Sequence, residues 1–325
     1  MTNLLTKRAS PRTRASSPSV GHELLAPYDP ATSVPIDDVT PAQEQLRRFD
    51  FGENWREFLA LVDESRIGQA ERSLTEMLGS ESLAGKTFLD VGCGSGLFSL
   101  AGLRMGATQV CSFDFDVESV ECARELRRRF RVGSNWEIEQ GDILDQSFVA
   151  TLGTWDVVYA WGVLHHTGNM WRAIENVQQL VAPRGTLFVS IYNDQGLRSQ
   201  IWRRVKRQYN RLPGRLQTPY AVGVMLPREL LSAGLATARG KPTTYIRSWT
   251  GARKRGMSRW HDLIDWVGGF PFEVARPEEV FDFFRTRGFV LERLRTCGGG
   301  LGCNEFVFTR NTRTSQPRAF PRTDS

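Results

Sequence analysis

Thr87-Phe-Leu-Asp-Val-Gly-Cys-Gly-Ser-Gly-Leu-Phe-Ser-Leu100 is the stretch that decides the fold of this 325-residue chain. Its apolar start predicts a strand, its glycines predict a loop, and the apolar spacing from Leu97 to Leu103 predicts a helix. Glycine admits positive φ and lets a ligand lie against the backbone, and the first N–H groups of a helix attract anionic groups. The stretch therefore predicts a strand, loop and helix unit that holds a ligand.

The glycine spacing indicates what kind of ligand this is. A dinucleotide fingerprint has the spacing G-x-G-x-x-G. Here Gly92, Gly94 and Gly96 alternate with single residues, and the acid Asp90 precedes them. This mismatch favours a cofactor other than a dinucleotide.

Two more acids follow predicted strands. The run Thr108–Phe113 ends at Asp114, and the run Trp136–Gln140 leads into Gly141-Asp142-Ile143. The two oxygens of a carboxylate can accept hydrogen bonds from both hydroxyls of a ribose. Asp114 is therefore predicted to bind a ribose diol.

These motifs, taken together, resemble the successive cofactor motifs of class I S-adenosylmethionine-dependent methyltransferases. Residues 155–166 resemble the fourth-strand segment of the broad group that includes ubiquinone-type O-methylases, and the match covers about residues 84–193 in family order. The resemblance implies S-adenosylmethionine as cofactor. It assigns the cofactor contacts to Asp90, Gly92, Gly94, Gly96, Asp114, Phe115, Asp142 and Ile143. Phe115 would lie on the adenine ring, although plain packing explains it nearly as well.

The fold predicted with this resemblance is α/β, a doubly wound and mostly parallel sheet that a terminal antiparallel hairpin closes. A helical basic insertion follows the fifth strand. Arg184 stands in the turn before that strand, where the family usually has glycine, and type I geometry is expected to tolerate it. The predicted organisation is a disordered basic tail at 1–40, a helical cap at 41–83, a cofactor-binding core at 84–194, the insertion at 195–275, the last helix and closing strands at 276–310 and a disordered tail at 311–325.

The composition argues against a membrane-spanning, a disulfide-bonded and a zinc-binding protein. No apolar stretch reaches the ~18 residues that a membrane span needs, so a soluble, cytoplasmic protein is expected. The five cysteines are an odd number and do not predict a disulfide framework. Cys297 and Cys303 lack histidine partners at zinc-site spacing, so no metal is predicted.

The positive charge is concentrated in the predicted insertion. The chain has a net charge of +6, yet residues 195–260 hold fifteen Lys or Arg and one acid, Glu229. Such a block attracts an anionic partner or forms a solvated face that balances an acidic body. The candidate partners are a small or medium substrate with a phosphate, nucleotide or carboxylate group, an acidic glycan or a lipid headgroup. Nucleic acid is a weaker candidate, because no RNA-binding module is recognisable. The sequence does not indicate an oligomeric state.

Three histidines are candidates for a catalytic base. His165 and His166 follow the fourth strand, at the edge where cofactor and acceptor meet in this fold, and His261 follows the basic loop. A histidine of near-neutral pKa could take a proton from a hydroxyl or amine. Packing is the alternative role, since adjacent residues are not expected to face one pocket easily. His261 ranks below His165, because its neighbours fit a helix core.

The function predicted from these observations is methyl transfer by in-line displacement to a polar, anionic acceptor, at oxygen. Methyl transfer to RNA through the insertion is an alternative. A cofactor-binding regulatory protein without catalysis is another.

Overall fold

The computed structural model describes residue 49 and residues 51–243, 245–246 and 259–311. The side chains at 51, 53, 54, 57, 259–262 and 265 lie outside the described part. The predicted tail at 1–40, the basic loop around 249–258 and the tail beyond Asn311 also lie outside it.

Strands and helices alternate from residue 87 onward, after two helices that precede the sheet. The strands are β1 Thr87–Val91, β2 Gln109–Asp114, β3 Trp136–Gln140, β4 Trp155–Trp161, β5 Val181–Tyr192, β6 Phe289–Arg295 and β7 Cys303–Arg310. The helices are α1 Phe51–Leu59, α2 Glu64–Leu78, α3 Leu97–Arg104, α4 Val117–Arg129, α5 Gln146–Thr151, α6 Met170–Gln179, α7 Leu197–Arg211, α8 Gly214–Ala238, α9 Arg259–Gly268 and α10 Pro277–Thr286. A short 3-10 turn at Leu164–His166 lies between β4 and α6.

The strands form one seven-stranded sheet in the order β3-β2-β1-β4-β5-β7-β6. β1 to β5 run parallel, while β7 is antiparallel to both β5 and β6. The order reverses between β1 and β4, and ligands of such sheets bind at the carboxyl ends beside this switch point. The predicted doubly wound sheet with a closing hairpin is confirmed.

Both faces of the sheet are covered, because successive strand residues point to opposite sides. Phe88 and Val110 pack with α1 to α4 on one face. Leu89 and Cys111 pack with α5, α6 and α10 on the other. Parallel strands buried on both faces need mostly apolar side chains, and the fully buried exceptions in β1 and β2 are Asp90 and Ser112.

The insertion after β5 is helical, as predicted, and it has a small core of its own. Tyr209 of α7, Ala221 and Met225 of α8, and Leu263 and Val267 of α9 are buried together. α8 is 25 residues long and continues through two prolines. Among the described residues, no helix is both long and apolar enough to cross a bilayer.

The turn before the inner part of β5 differs from the expectation for Arg184. Its φ is +65°, in the left-handed region that favours glycine. A type I turn has negative φ at both central residues, so the predicted turn type is wrong. Arginine therefore carries backbone strain where the family usually has glycine.

Candidate functional site

The glycine loop joins β1 to α3 and is held against the end of β2. Gly92 and Cys93 donate their N–H groups to the Phe113 carbonyl, over 2.9 and 3.1 Å. The Gly94 N–H donates to Oδ2 of Asp114 over 2.9 Å. The loop backbone and the acid at the end of β2 are therefore one bonded unit.

Two of the loop glycines meet side chains from other elements. Gly92 has φ +68°, and a Cβ there would lie 2.3 Å from Cγ2 of Val163. Gly94 has φ +52°, and its Cβ would lie 2.7 Å from the Trp55 indole of α1. Neither position has room for a side chain, so α1 and the β4 loop pack directly on the glycine backbone.

Asp114 keeps hydrogen-bonding capacity at both oxygens. Oδ2 accepts from Gly94 N–H, and Oδ1 accepts from Asp116 N–H over 3.0 Å. Each carboxylate oxygen can accept about two hydrogen bonds, so these two bonds do not saturate either oxygen. Burial raises the pKa of Asp114 to about 6, although hydrogen bonds from the backbone at Asp116, Gly94 and Phe115 lower it.

A chain of hydrogen bonds ends on the second acid, Asp90, which is 1% exposed. The Trp136 indole N–H donates to Ser112, and the Ser112 hydroxyl donates to Ser99, each over 2.7 Å. The Ser99 hydroxyl donates to Oδ2 of Asp90 over 2.5 Å. Burial raises the pKa of Asp90 to about 7, against the effect of the Ser99 hydrogen bond.

The remaining predicted cofactor residues lie at the same edge of the sheet. Asp142 accepts the Leu144 N–H over 2.9 Å, and Ile143 is 4% exposed in the core. Phe115 follows β2, is 52% exposed and lines the cavity described below.

The 3-10 turn after β4 carries both His165 and His166, and both line the cavity described below. The expectation that adjacent histidines would not share one pocket is therefore wrong, because the 3-10 turn that carries both residues lies along the wall of the cavity. The ring of Tyr192 lies 4.0 Å from the His165 ring and 5.4 Å from the His166 ring.

The two histidines differ in their hydrogen bonds. Nδ1 of His166 lies 2.7 Å from the Pro271 carbonyl, which fixes its proton on that nitrogen. The described residues supply no hydrogen-bond partner to Nδ1 of His165, which is buried. Burial lowers the pKa of His166 to about 3 and that of His165 well below its usual value, so both rings are neutral at pH ~7.

Lys206 is a residue of this site that the motifs did not reveal. Its side chain is fully buried in the insertion, and its ammonium lies 4.9 to 5.9 Å from the ring centres of Tyr192, Trp266 and Phe272. The ammonium donates to the Trp266 carbonyl. Trp202 and Tyr209 stand four residues before and three after it, a helical spacing that could have placed Lys206 on the buried face.

The third predicted base, His261, is in α9, but its side chain lies outside the described part of the chain. Its predicted role remains a prediction. The helix core expected around it is present, since Leu263 and Val267 are buried.

One cavity of about 1600 Å³ joins these groups. Asp90, Asp114 and Asp142 line one part of it, and the histidines line another. The insertion contributes further lining residues, among them Arg198, Trp202, Gln217, Met225 and Arg228. The cavity therefore extends from the glycine loop to the basic insertion.

Sequence comparisons agree with this geometry. Residues 89–187 match the family model described as a methyltransferase domain. A ubiquinone biosynthesis O-methyltransferase of Coxiella burnetii is 28% identical over 158 residues, 46% of this chain and 62% of that protein. A ribosomal protein L11 methyltransferase of Vibrio campbellii is 31% identical over 115 residues, 35% of this chain and 36% of that protein. The chain thus spans less than two thirds of the length of these curated relatives.

Among solved structures, the magnesium protoporphyrin IX methyltransferase of Synechocystis with bound S-adenosylhomocysteine has a TM-score of 0.46 and 14% identity. The similarity covers 80% of this chain and 94% of that one.

With the sheet order, the family match identifies a class I S-adenosylmethionine-dependent methyltransferase domain within the chain, over residues 89–187. S-adenosylmethionine is the cofactor of this domain, and the residues present fit it. Asp114 keeps accepting capacity beside its bonds to Gly94 and Asp116, and Phe115 and Asp142 line the same cavity, a set that suits a ribose and a base.

Proposed function

We propose that this chain transfers a methyl group from S-adenosylmethionine to an oxygen of a polar, anionic acceptor of small or medium size. The cavity carries the proposal, because it runs without interruption from the cofactor acids to His165 and the arginines of the insertion. When bound, the cofactor supplies an activated methyl group on a sulfonium. The protein then has to hold the acceptor in line with it and exclude water.

The proposed cofactor contacts are Asp90, Gly92, Gly94, Gly96, Asp114, Phe115, Asp142 and Ile143. The ribose would bind to Asp114 and the adenine ring would lie by Phe115, whose exposure makes a stacking role possible. Asp142 would lie near the base. These residues share the edge of the sheet at which such ligands bind.

His165 is proposed to accept a hydrogen bond from the acceptor hydroxyl. Its ring is neutral and its Nδ1 has no partner among the described residues, so Nδ1 can accept from a hydroxyl. Burial lowers the pKa of His165 well below its usual value, so the ring is better suited to orienting the hydroxyl than to removing its proton. Pro271 fixes the proton of His166 on Nδ1 and leaves the lone pair on Nε2, so His166 is the second candidate for this role.

Arg198 and Arg228 are the proposed contacts for the anionic group of the acceptor. Both line the cavity and both side chains are exposed. A guanidinium binds phosphate or carboxylate with two parallel hydrogen bonds. The similarity to a ubiquinone biosynthesis O-methyltransferase supports transfer to oxygen.

The test is incubation of the full chain with methyl-labelled cofactor and fractionated extract. Label is expected in a small-molecule fraction, bound to an anion exchanger and unaffected by nuclease. Label that nuclease releases would show RNA as the acceptor. Cofactor binding without label in any fraction would favour a regulatory protein without catalysis.

Two variants test the role of His165 once an acceptor is known. Asn places an amide oxygen near the position of Nδ1 and can still accept a hydrogen bond, whereas Leu cannot. His165→Leu is expected to lose about 100-fold or more in kcat, and His165→Asn less. Equal losses in both variants would contradict the assignment, provided that each still binds the cofactor.

A further inference from the structure

The outer face of α8 is apolar and uncovered in the described part of the chain. α8 packs Ala221 and Met225 into the core of the insertion. The opposite side of a surface helix normally carries polar side chains. Here the exposed apolar residues are Leu216 at 46%, Val222 at 40%, Leu226 at 48%, Leu230 at 63%, Leu231 at 64% and Leu235 at 45% exposure, and we call this set the outer face of α8.

Basic residues flank the outer face of α8. Arg211, the last residue of α7, and Arg215 are exposed near the start of α8, and Arg239 and Lys241 are exposed at its end. Glu229 is the one acid in residues 195–260. A second copy of the same face would bring like charges together, whereas an anionic surface would be attracted to them.

We propose that the outer face of α8 docks on the surface of an anionic lipid bilayer, with the helix lying in the plane of the headgroups. One side of α8 is already packed on α7 and α9, so only the apolar side is available for insertion. Exposed leucines next to arginines and lysines combine the two contributions that bind a protein to an anionic membrane surface, buried apolar area and attraction to acidic headgroups. The apolar side chains reach the acyl boundary and the basic groups contact acidic headgroups.

Docking through this face brings the cavity next to the bilayer. α8 presents the leucines outward, and the same helix contributes Gln217, Met225 and Arg228 to the cavity wall. Membrane binding through the outer face of α8 can be tested without methyl transfer, because binding to vesicles needs neither cofactor nor acceptor. A failure of the proposed function would leave this test unaffected.

The experiment is co-sedimentation of the full chain with vesicles of phosphatidylcholine alone and of phosphatidylcholine mixed with phosphatidylglycerol. Binding is expected only to the mixed vesicles and is expected to weaken as salt rises. Leu230→Gln with Leu231→Gln should reduce the partition coefficient by about tenfold or more, because both leucines are the most exposed of the set. Arg211→Gln and Arg215→Gln should each reduce it by about fivefold.

Leu294→Gln is the matched control, because Leu294 is 44% exposed on the edge strand β6 and is not part of the outer face. It should leave vesicle binding unchanged. Circular dichroism and thermal unfolding establish that each variant is folded. The proposal is overturned if the chain does not bind the mixed vesicles, or if the Leu230/Leu231 variant binds them as well as the unchanged chain. A dimer that this variant dissociates, without vesicle binding, would assign the face to a second copy.

Discussion

Replacing Asp114 tests the cofactor site most directly. Its two oxygens already accept the N–H groups of Gly94 and Asp116, and these bonds saturate neither oxygen. Asp114→Asn keeps the size of the side chain but turns one acceptor into a donor. The ribose would then lose its charged partner.

The magnitude follows from the change at the two ribose hydrogen bonds, since one loses its acceptor and the other keeps an acceptor that is no longer charged. A hydrogen bond to a charged group contributes about 1.5–3 kcal/mol and a neutral one about 1 kcal/mol, so binding should weaken by about 2–5 kcal/mol. This is at least about thirtyfold in Kd. Because burial raises the pKa of Asp114 to about 6, affinity should also fall about tenfold for each pH unit below that value.

The assay is isothermal titration with S-adenosylmethionine from about pH 5 to pH 8. Asp114→Asn should bind weakly at every pH and lose the step near pH ~6. Asp145→Asn is the control, since Asp145 also accepts backbone N–H groups, at the start of α5, but does not line the cavity. An Asp114→Asn protein that is folded and binds within a few-fold of the unchanged chain would refute the reasoning.

Three other predictions concern stability, measured by urea unfolding of the chain without cofactor. Gly92→Ala should lose about 2–4 kcal/mol, because its Cβ collides with Val163 and φ is positive; Gly162→Ala, with positive φ but no neighbour within 4 Å, should lose only about 1–2 kcal/mol. Equal losses of stability in the two variants would show that the chain shifts to relieve the contact between the new Cβ at position 92 and Val163. Arg184→Gly should gain up to about 1 kcal/mol by removing strain at φ +65°, and a loss would show that the arginine makes a compensating contact. Burial raises the pKa of Asp90 to about 7, so the folded chain binds the extra proton and stability should fall as pH rises from about 4 to 7, by at most about 4 kcal/mol from this group. Asp90→Asn should flatten that slope, and an unchanged slope would assign it to other groups.

Much of the core could be predicted from the sequence, because local pattern and tertiary role agree there. The run Trp136–Gln140 is a strand with the predicted bounds, and the acids at or just beyond the carboxyl ends of β1, β2 and β3 line the same cavity. Parallel strands place their carboxyl ends at one edge of the sheet. The positions of the acids along the chain were therefore enough to predict that the acids share one site. The closing strands, predicted within 276–310, are β6 and β7.

Other features depend on contacts between distant parts of the chain. Pro219 and Pro227 indicate breaks by local rules, yet α8 continues through both because Ala221 and Met225 are packed in the insertion core. Lys206 is typical of a solvated basic helix, but its aromatic neighbours come from β5 and from the segment around Phe272. No local pattern encodes such a pairing.

The hydrogen-bond chain that ends on Asp90 runs in one direction. The Trp136 indole can only donate, the Ser112 and Ser99 hydroxyls each donate onward, and Oδ2 of Asp90 accepts. In this arrangement, any proton that Asp90 holds near neutral pH is on Oδ1. A positively charged ligand arriving in the cavity would favour the ionised carboxylate and expel that proton. Cofactor binding at neutral pH should then acidify the solution, and its heat should vary with the ionisation enthalpy of the buffer.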